Sequence, residues 1–213
     1  MSFPTSPAAR PGRADRRAAI LRAAIDVFGR EGYARASVDE IARLAGVAKP
    51  TLYSRFSDKA TLFVEAVACA AALSNDRVVD VIDATSTHPE NLRSELEHLG
   101  TALVGCAMHA DGATVIRLQM TEHAAFGQAF DKIRADGRDR ILDRLAGKLA
   151  QLAVTGQLHL TDPQRSARHF LALVSDEALA RSGYGTTVLT GDDVAGPVAD
   201  AVETFLAAFG SRA

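Results

Sequence analysis

A chain of 213 residues can form one large or two small domains, and 47% apolar residues with 6% aromatic and no tryptophan point to an Ala/Leu-rich helical protein. Only two cysteines, no apolar run near the ~20 residues that span a bilayer, and no charged-then-apolar leader argue against disulfide, membrane and secreted classes, and for a soluble, cytoplasmic protein with no membrane partner. The net charge of −2 is segregated: residues 1–60 carry 11 Lys+Arg against 6 Asp+Glu, and the remainder 13 against 20, which suits a DNA-reading module joined to a body that does not touch DNA.

Residues 1–12, with prolines among small residues and Arg10 near their end, read as a disordered basic arm. The first helix is expected from Ala14 to Arg30, burying Leu21, Ala24, Ile25 and Phe28, with Gly32 closing it and Tyr33 packing beside that core. Ser37 and Glu40 have capping-box spacing: the serine accepts the Glu40 amide, and the carboxylate returns to the Ser37 amide. Val38, Ile41, Ala42 and Ala45 give the second helix one apolar face. Gly46 stands where a left-handed residue ends a helix, and Val47 plugs the turn. Pro50 fits the first turn of a third helix, whose buried side is Leu52 and Phe56. Lys49, Thr51, Tyr53, Ser54 and Arg55 are left on the other faces, a set of cations and hydroxyls suited to phosphates and base edges. Two short helices joined by a glycine-containing turn make a helix-turn-helix, whose second helix enters the major groove.

Ser57 and Asp58 open the next helix as N-cap and first-turn acid, with Lys59 near enough to Thr51 and Tyr53 to clamp a phosphate strand. Leu62, Phe63, Ala66, Val67, Ala70 and Leu73 carry its stripe unbroken toward Pro89. One rigid helix is therefore expected to link this domain to the rest of the chain.

From Arg16 to about Val67 the chain reads I-L-x-A-A-x3-F-x3-G-Y and then S-V-D-E-I-A-x-x-A-G-V-A-K-P-T-L-Y-S-R-F-x-D-K. That stretch resembles the DNA-binding domain of the TetR (tetracycline-repressor-like) family of bacterial transcription regulators. The resemblance implies an all-α protein of about nine helices, with a three-helix DNA-binding domain over residues 13–73. A continuous fourth helix would lead into an effector-binding and dimerisation domain over residues 74–213. It implies a repressor bound to double-stranded DNA at a palindromic operator and released by a small effector. Lys49, Thr51, Tyr53 and Ser54 would carry recognition beside Pro50, with Ser37 and Lys59 on phosphates. Pro50 departs from the family pattern, which has a small residue such as Gly there.

Further helices are expected over Pro89 to Met108, Ala113 to His123, Ala125 to Val154, Pro163 to Ser182 and Asp192 to Phe209, with a turn at Asp111-Gly112. The stripes Phe170, Leu171, Val174, Ala178 and Pro197, Ala201, Val202, Phe205, Phe209 exceed what one small domain buries. The family resemblance makes these last two helices the interface of a two-fold homodimer, and two recognition helices about one DNA turn (~34 Å) apart read a palindrome. It also implies a pocket for a small, mostly apolar effector. Arg117, Met120 and His123 beside Phe126 and Phe130, with His169 and Phe170, combine apolar walls with a few polar groups, and they equally fit ordinary core and rim.

Chemistry finds little support. Glu95-x-x-His98 is half of a di-iron pattern without its second half, and Cys106-x-x-His109 offers two zinc ligands without a complementary pair. With no phosphate loop and no nucleophile elbow, no catalytic residue, metal or cofactor is assigned. The alternative is a helical small-molecule-binding protein or enzyme whose N-terminal helices serve as scaffold only.

Overall fold

The computed structural model describes residues 13–211, so the expected arm over residues 1–12 lies outside the described residues. Their elements are α1 (Arg13–Arg35), α2 (Val38–Leu44), α3 (Lys49–Tyr53), α4 (Lys59–Ala84), α5 (Leu92–Met108), α6 (Ala110–Thr121), α7 (His123–Val154), α8 (Pro163–Arg181) and α9 (Gly191–Phe209). An isolated antiparallel bridge joins Leu158 to Gly210, and among the described residues no single helix is long and apolar enough to cross a membrane. The residues divide into two units, one ending at Ala66 and the other beginning at Val67.

In the first unit, the stripe predicted for α1 is buried: Leu21, Ala24, Ile25 and Phe28 join Ile41, Leu52, Phe56, Leu62 and Phe63 among its buried residues. Phe28 meets Phe63 edge-on at 4.8 Å, and Tyr33 packs on Phe63 at 5.1 Å. Gly32, at φ 74°, breaks α1 near its end. The start of α4 differs from expectation. Asp58 itself is the cap, its Oδ1 accepting the Thr61 amide at 2.7 Å, while the Ser57 hydroxyl turns to the Thr61 hydroxyl at 2.9 Å.

The second unit is built on one core of α4, α5, α7, α8 and α9 residues, with Phe170 and Phe205 edge-on at 5.1 Å in its centre. Asn91 caps α5 by accepting the Ser94 amide at 3.1 Å, so that helix begins at Leu92, not Pro89. The expected turn at Asp111-Gly112 is not a turn. The chain breaks at His109 instead, where ψ is 154°, and α5 and α6 meet there at 63°. Both residues lie in the first turn of α6. A Cβ on Gly112 would stand 2.3 Å from the Ala107 carbonyl oxygen, so this glycine lets the two helices close the corner, and Asp111 takes an ion pair from Arg77 at 3.3 Å. The stripes on α8 and α9 also need correction as an argument for a second copy. Phe170, Val174, Ala178, Ala201, Val202 and Phe205 are all buried within one protomer, because they turn toward the core shared with α5 and α7.

Candidate nucleic-acid interface and ligand cavity

The turn between α2 and α3 is a complete Schellman motif. The Gly46 amide donates to the Arg43 carbonyl at 3.2 Å, the Val47 amide to the Ala42 carbonyl at 3.0 Å, and Gly46 takes φ 64°. After it, Pro50 sits in the first turn of α3, while Leu52 and Phe56 anchor the segment in the core. The helix proper ends at Tyr53, one turn short of the expected Phe56. Anchoring by these two side chains fixes which way the remaining residues face.

Lys49, Pro50, Tyr53 and Ser54 are exposed and Thr51 is half-buried. The Lys49 ammonium is 2.9 Å from Asp39 Oδ1 and donates to Oδ2 at 3.1 Å. That hydrogen bond, with the carboxylate's charge, holds the lysine above its ordinary pKa. Ser54 donates its hydroxyl to the Thr51 carbonyl at 2.8 Å. Tyr53 presents its ring to solvent with 41% of its surface exposed. Ser37 caps α2 by accepting the Glu40 amide at 3.4 Å. The reciprocal half of the capping box does not form, because the Glu40 carboxylate accepts from Arg30 at 2.7 Å instead.

Lys59 is half-buried, donates to the Ala34 carbonyl at 3.1 Å and lies over the Tyr33 ring at 4.9 Å. The bond and the ring hold its ammonium against the end of α1. Arg55 donates to the Arg13 carbonyl at 3.2 Å, so it braces the N-terminus of α1. Asp39 was missed as a partner of the recognition helix. The usable signal was that Asp39 and Lys49 occupy the first turns of successive helices.

The second unit contains a cavity of about 320 Å³ bounded by α4, α5, α6, α7 and α8. Its walls are mainly apolar, including Val78, Leu103, Val115, Ile116, Ile133 and Ile141, with Ser74, Asn75, Gln119, Arg134, Arg138 and Ser175 as the polar members. None of the seven residues expected to face an effector lines it. Phe130 and Phe170 are core, Arg117 donates to the Gly185 carbonyl at 3.2 Å, and Met120, His123 and His169 are exposed. Phe126 is half-buried and packs on Phe130 at 6.0 Å. The reason is helical phase: on α6 the wall is Gly112, Val115, Ile116 and Gln119, and Arg117 and Met120 fall outside that face. Among the described residues no group of three or more His, Cys, Asp and Glu side chains is placed to hold a metal, and Glu95 accepts the Ser86 amide at 2.6 Å.

The family model described as bacterial regulatory proteins, tetR family, matches residues 20–66, and that of the AefR-like transcriptional repressor C-terminal domain matches residues 94–211. Over 65 residues, 30% of this chain, the sequence is 45% identical to the DNA-binding transcriptional repressor TetR of Mycobacteroides abscessus. Over 85 residues, 40% of this chain, it is 36% identical to the HTH-type transcriptional activator FasR of Mycolicibacterium smegmatis. These matches span 34% and 39% of the two relatives' own lengths. Among solved structures, a TetR-family transcriptional regulator from Mesorhizobium loti is similar with a TM-score of 0.85 and 26% identity, over 94% of this chain and 100% of that one.

Proposed function

The chain belongs to the TetR family of bacterial regulatory proteins, whose members are DNA-binding transcription regulators, and we propose from this premise that it is a homodimeric repressor of a palindromic operator. The observation that carries the proposal is the outward face of α3: Lys49 and Tyr53, with Ser54 at its C-cap, stand exposed on a segment whose orientation is set by Leu52, Phe56 and the Gly46 turn. Lys49, Thr51, Tyr53 and Ser54 read base edges, with Pro50 stiffening the entry of the helix, and Ser37 and Lys59 hold phosphates on either side. Repression, not activation, is favoured by the description of the C-terminal family model and by the Mycobacteroides relative.

One recognition helix of five residues offers few base contacts, so two protomers are needed, with half-sites about one helical turn (~34 Å) apart. A small effector in the cavity of the second unit releases the operator by binding one spacing of the two reading heads better than the other. α4 supports such coupling, since Leu62 and Phe63 are core in the first unit while Ser74, Asn75 and Val78 line the cavity in the second.

Fluorescence anisotropy of the full chain with duplex fragments across a salt series tests the reading. Binding at low salt that falls as salt rises is expected, and Lys59→Ala should weaken it for every sequence and flatten the salt slope by about one unit. No retention of any duplex in dilute buffer would favour the scaffold alternative. An unchanged slope for the variant would remove Lys59 from the interface.

A further inference from the structure

The cavity wall carries more chemistry than an apolar effector alone would use. Ser74 and Gln119 are each only 7% exposed, line the cavity, and have no side-chain hydrogen-bond partner among the described residues. Asn75, one residue on from Ser74, is half-buried and shares the wall. Their hydroxyl and primary amide open onto the cavity and leave hydrogen-bonding capacity that a ligand group could meet. Room has been kept for them. A Cβ on Gly137 would stand 2.2 Å from Asn75 Nδ2, and one on Gly112 would stand 3.0 Å from Ser74 Oγ.

Charge in the wall has one sign. Arg134 and Arg138, one turn apart on α7, are the ionisable members of the lining, which includes no Asp or Glu. Arg134 is engaged by Asp131, whereas Arg138 makes no ion pair among the described residues. Both arginines are exposed while Ser74 and Gln119 are buried, so the cations stand at the rim and the neutral groups within.

Resting on the regulator reading above, we propose that the effector is a small apolar carboxylic acid that also carries a hydroxyl or carbonyl. Its carboxylate is held by Arg138 at the rim, and its second polar group is met inside by Gln119 and Ser74. A guanidinium at a partly exposed mouth stays charged and offers a fork that fits a carboxylate. A cavity of about 320 Å³ is at the small end of ligand sites, which run to roughly 300–1,000 Å³, so one ring with a short acid chain fits better than a multi-ring body.

The test is calorimetric titration of the full chain with 3-(4-hydroxyphenyl)propanoate and with its primary amide, which keeps shape and removes charge. Binding of the acid about tenfold or more tighter than the amide is expected. Arg138→Gln should erase that preference while leaving the amide's affinity unchanged. Gln119→Leu should weaken acid and amide alike. Arg138 is exposed, so its variant should keep the parent's melting temperature, which is measured in parallel. Equal binding of acid and amide, or a preference that survives Arg138→Gln, overturns the proposal, as does no binding of either probe at millimolar concentration. Duplex binding is read separately. A chain that still binds duplex but ignores both probes loses this proposal and keeps its regulator reading. A chain that binds the acid but no duplex keeps the site and loses the reading.

Discussion

At the scale of single residues, the contact that bears most on the proposed recognition lies between two side chains ten positions apart. Lys49 begins α3 and Asp39 sits in the first turn of α2, and the carboxylate occupies the ammonium that α3 presents. A phosphate or base acceptor must compete with Asp39 for that ammonium, and Asp39 repels the same phosphates. Asp39→Ala should therefore raise affinity for duplexes of every sequence several-fold at low salt, with little change in melting temperature, since the pair is exposed. Anisotropy titrations at two salt concentrations check this, and unaltered affinity would mean that Lys49 does not approach DNA. Which residues of α3 face outward was legible in the sequence, because a helix-turn-helix leaves few positions facing out. Their partners were less so. Glu40 was expected to close a capping box and goes to Arg30, a competition between an amide and a guanidinium that local spacing cannot decide.

At the scale of elements, the end of α2 was legible from a local signal, whereas the caps of α4 and α5 were placed one or more residues early. Gly46 ends α2 with φ 64°, a region where a side chain costs about 1–2 kcal/mol, so Gly46→Ala should destabilise the first unit by that amount with no steric clash added. A thermal melt of the variant measures it, and loss of duplex binding is expected to follow if the angle between α2 and α3 changes. The corner at His109 was not legible, because Gly112 resembles a turn residue in sequence, whereas in the structure it lies inside α6 where a Cβ would meet the Ala107 carbonyl. The caps also set a pH dependence. Asp58, Asp162 and Asp193 are each held below the ordinary carboxylate pKa, first by a backbone amide, from Thr61, Arg165 and Thr190 respectively. A lowered folded-state value means the stabilisation is present above the unfolded value of about 3.9 and is lost as pH falls through the lower folded value. Helical circular dichroism should accordingly fall below about pH 4, and Asp162→Asn, which keeps an acceptor and removes the proton, should flatten that limb of the titration.

At the scale of the whole molecule, the proposed dimer raises the question of which faces would meet. The apolar stripes of α8 and α9 suggested a surplus in the sequence, yet Phe170, Val174, Ala201, Val202 and Phe205 are consumed by the protomer's own core. A sequence shows that a face is apolar and not which neighbour covers it, so this part of the inference was out of reach. Phe205→Ala should accordingly cost about 3–5 kcal/mol in protomer stability, and so says nothing about assembly. The outer side of α8 is the informative place. Leu173 is 39% exposed there, next to exposed Ala172, while α9 shows Ala195, Gly196 and Ala207 outward, small residues that let helices of two protomers approach. If two-fold pairing through these helices positions the reading heads, a charge at Leu173 must be buried unpaired against its own copy. Leu173→Asp should therefore leave the protomer's melting transition nearly intact, convert the chain to monomer in sedimentation, and weaken a palindromic duplex far more than a single half-site. A dimer that persists in this variant would move the interface to another face of the second unit.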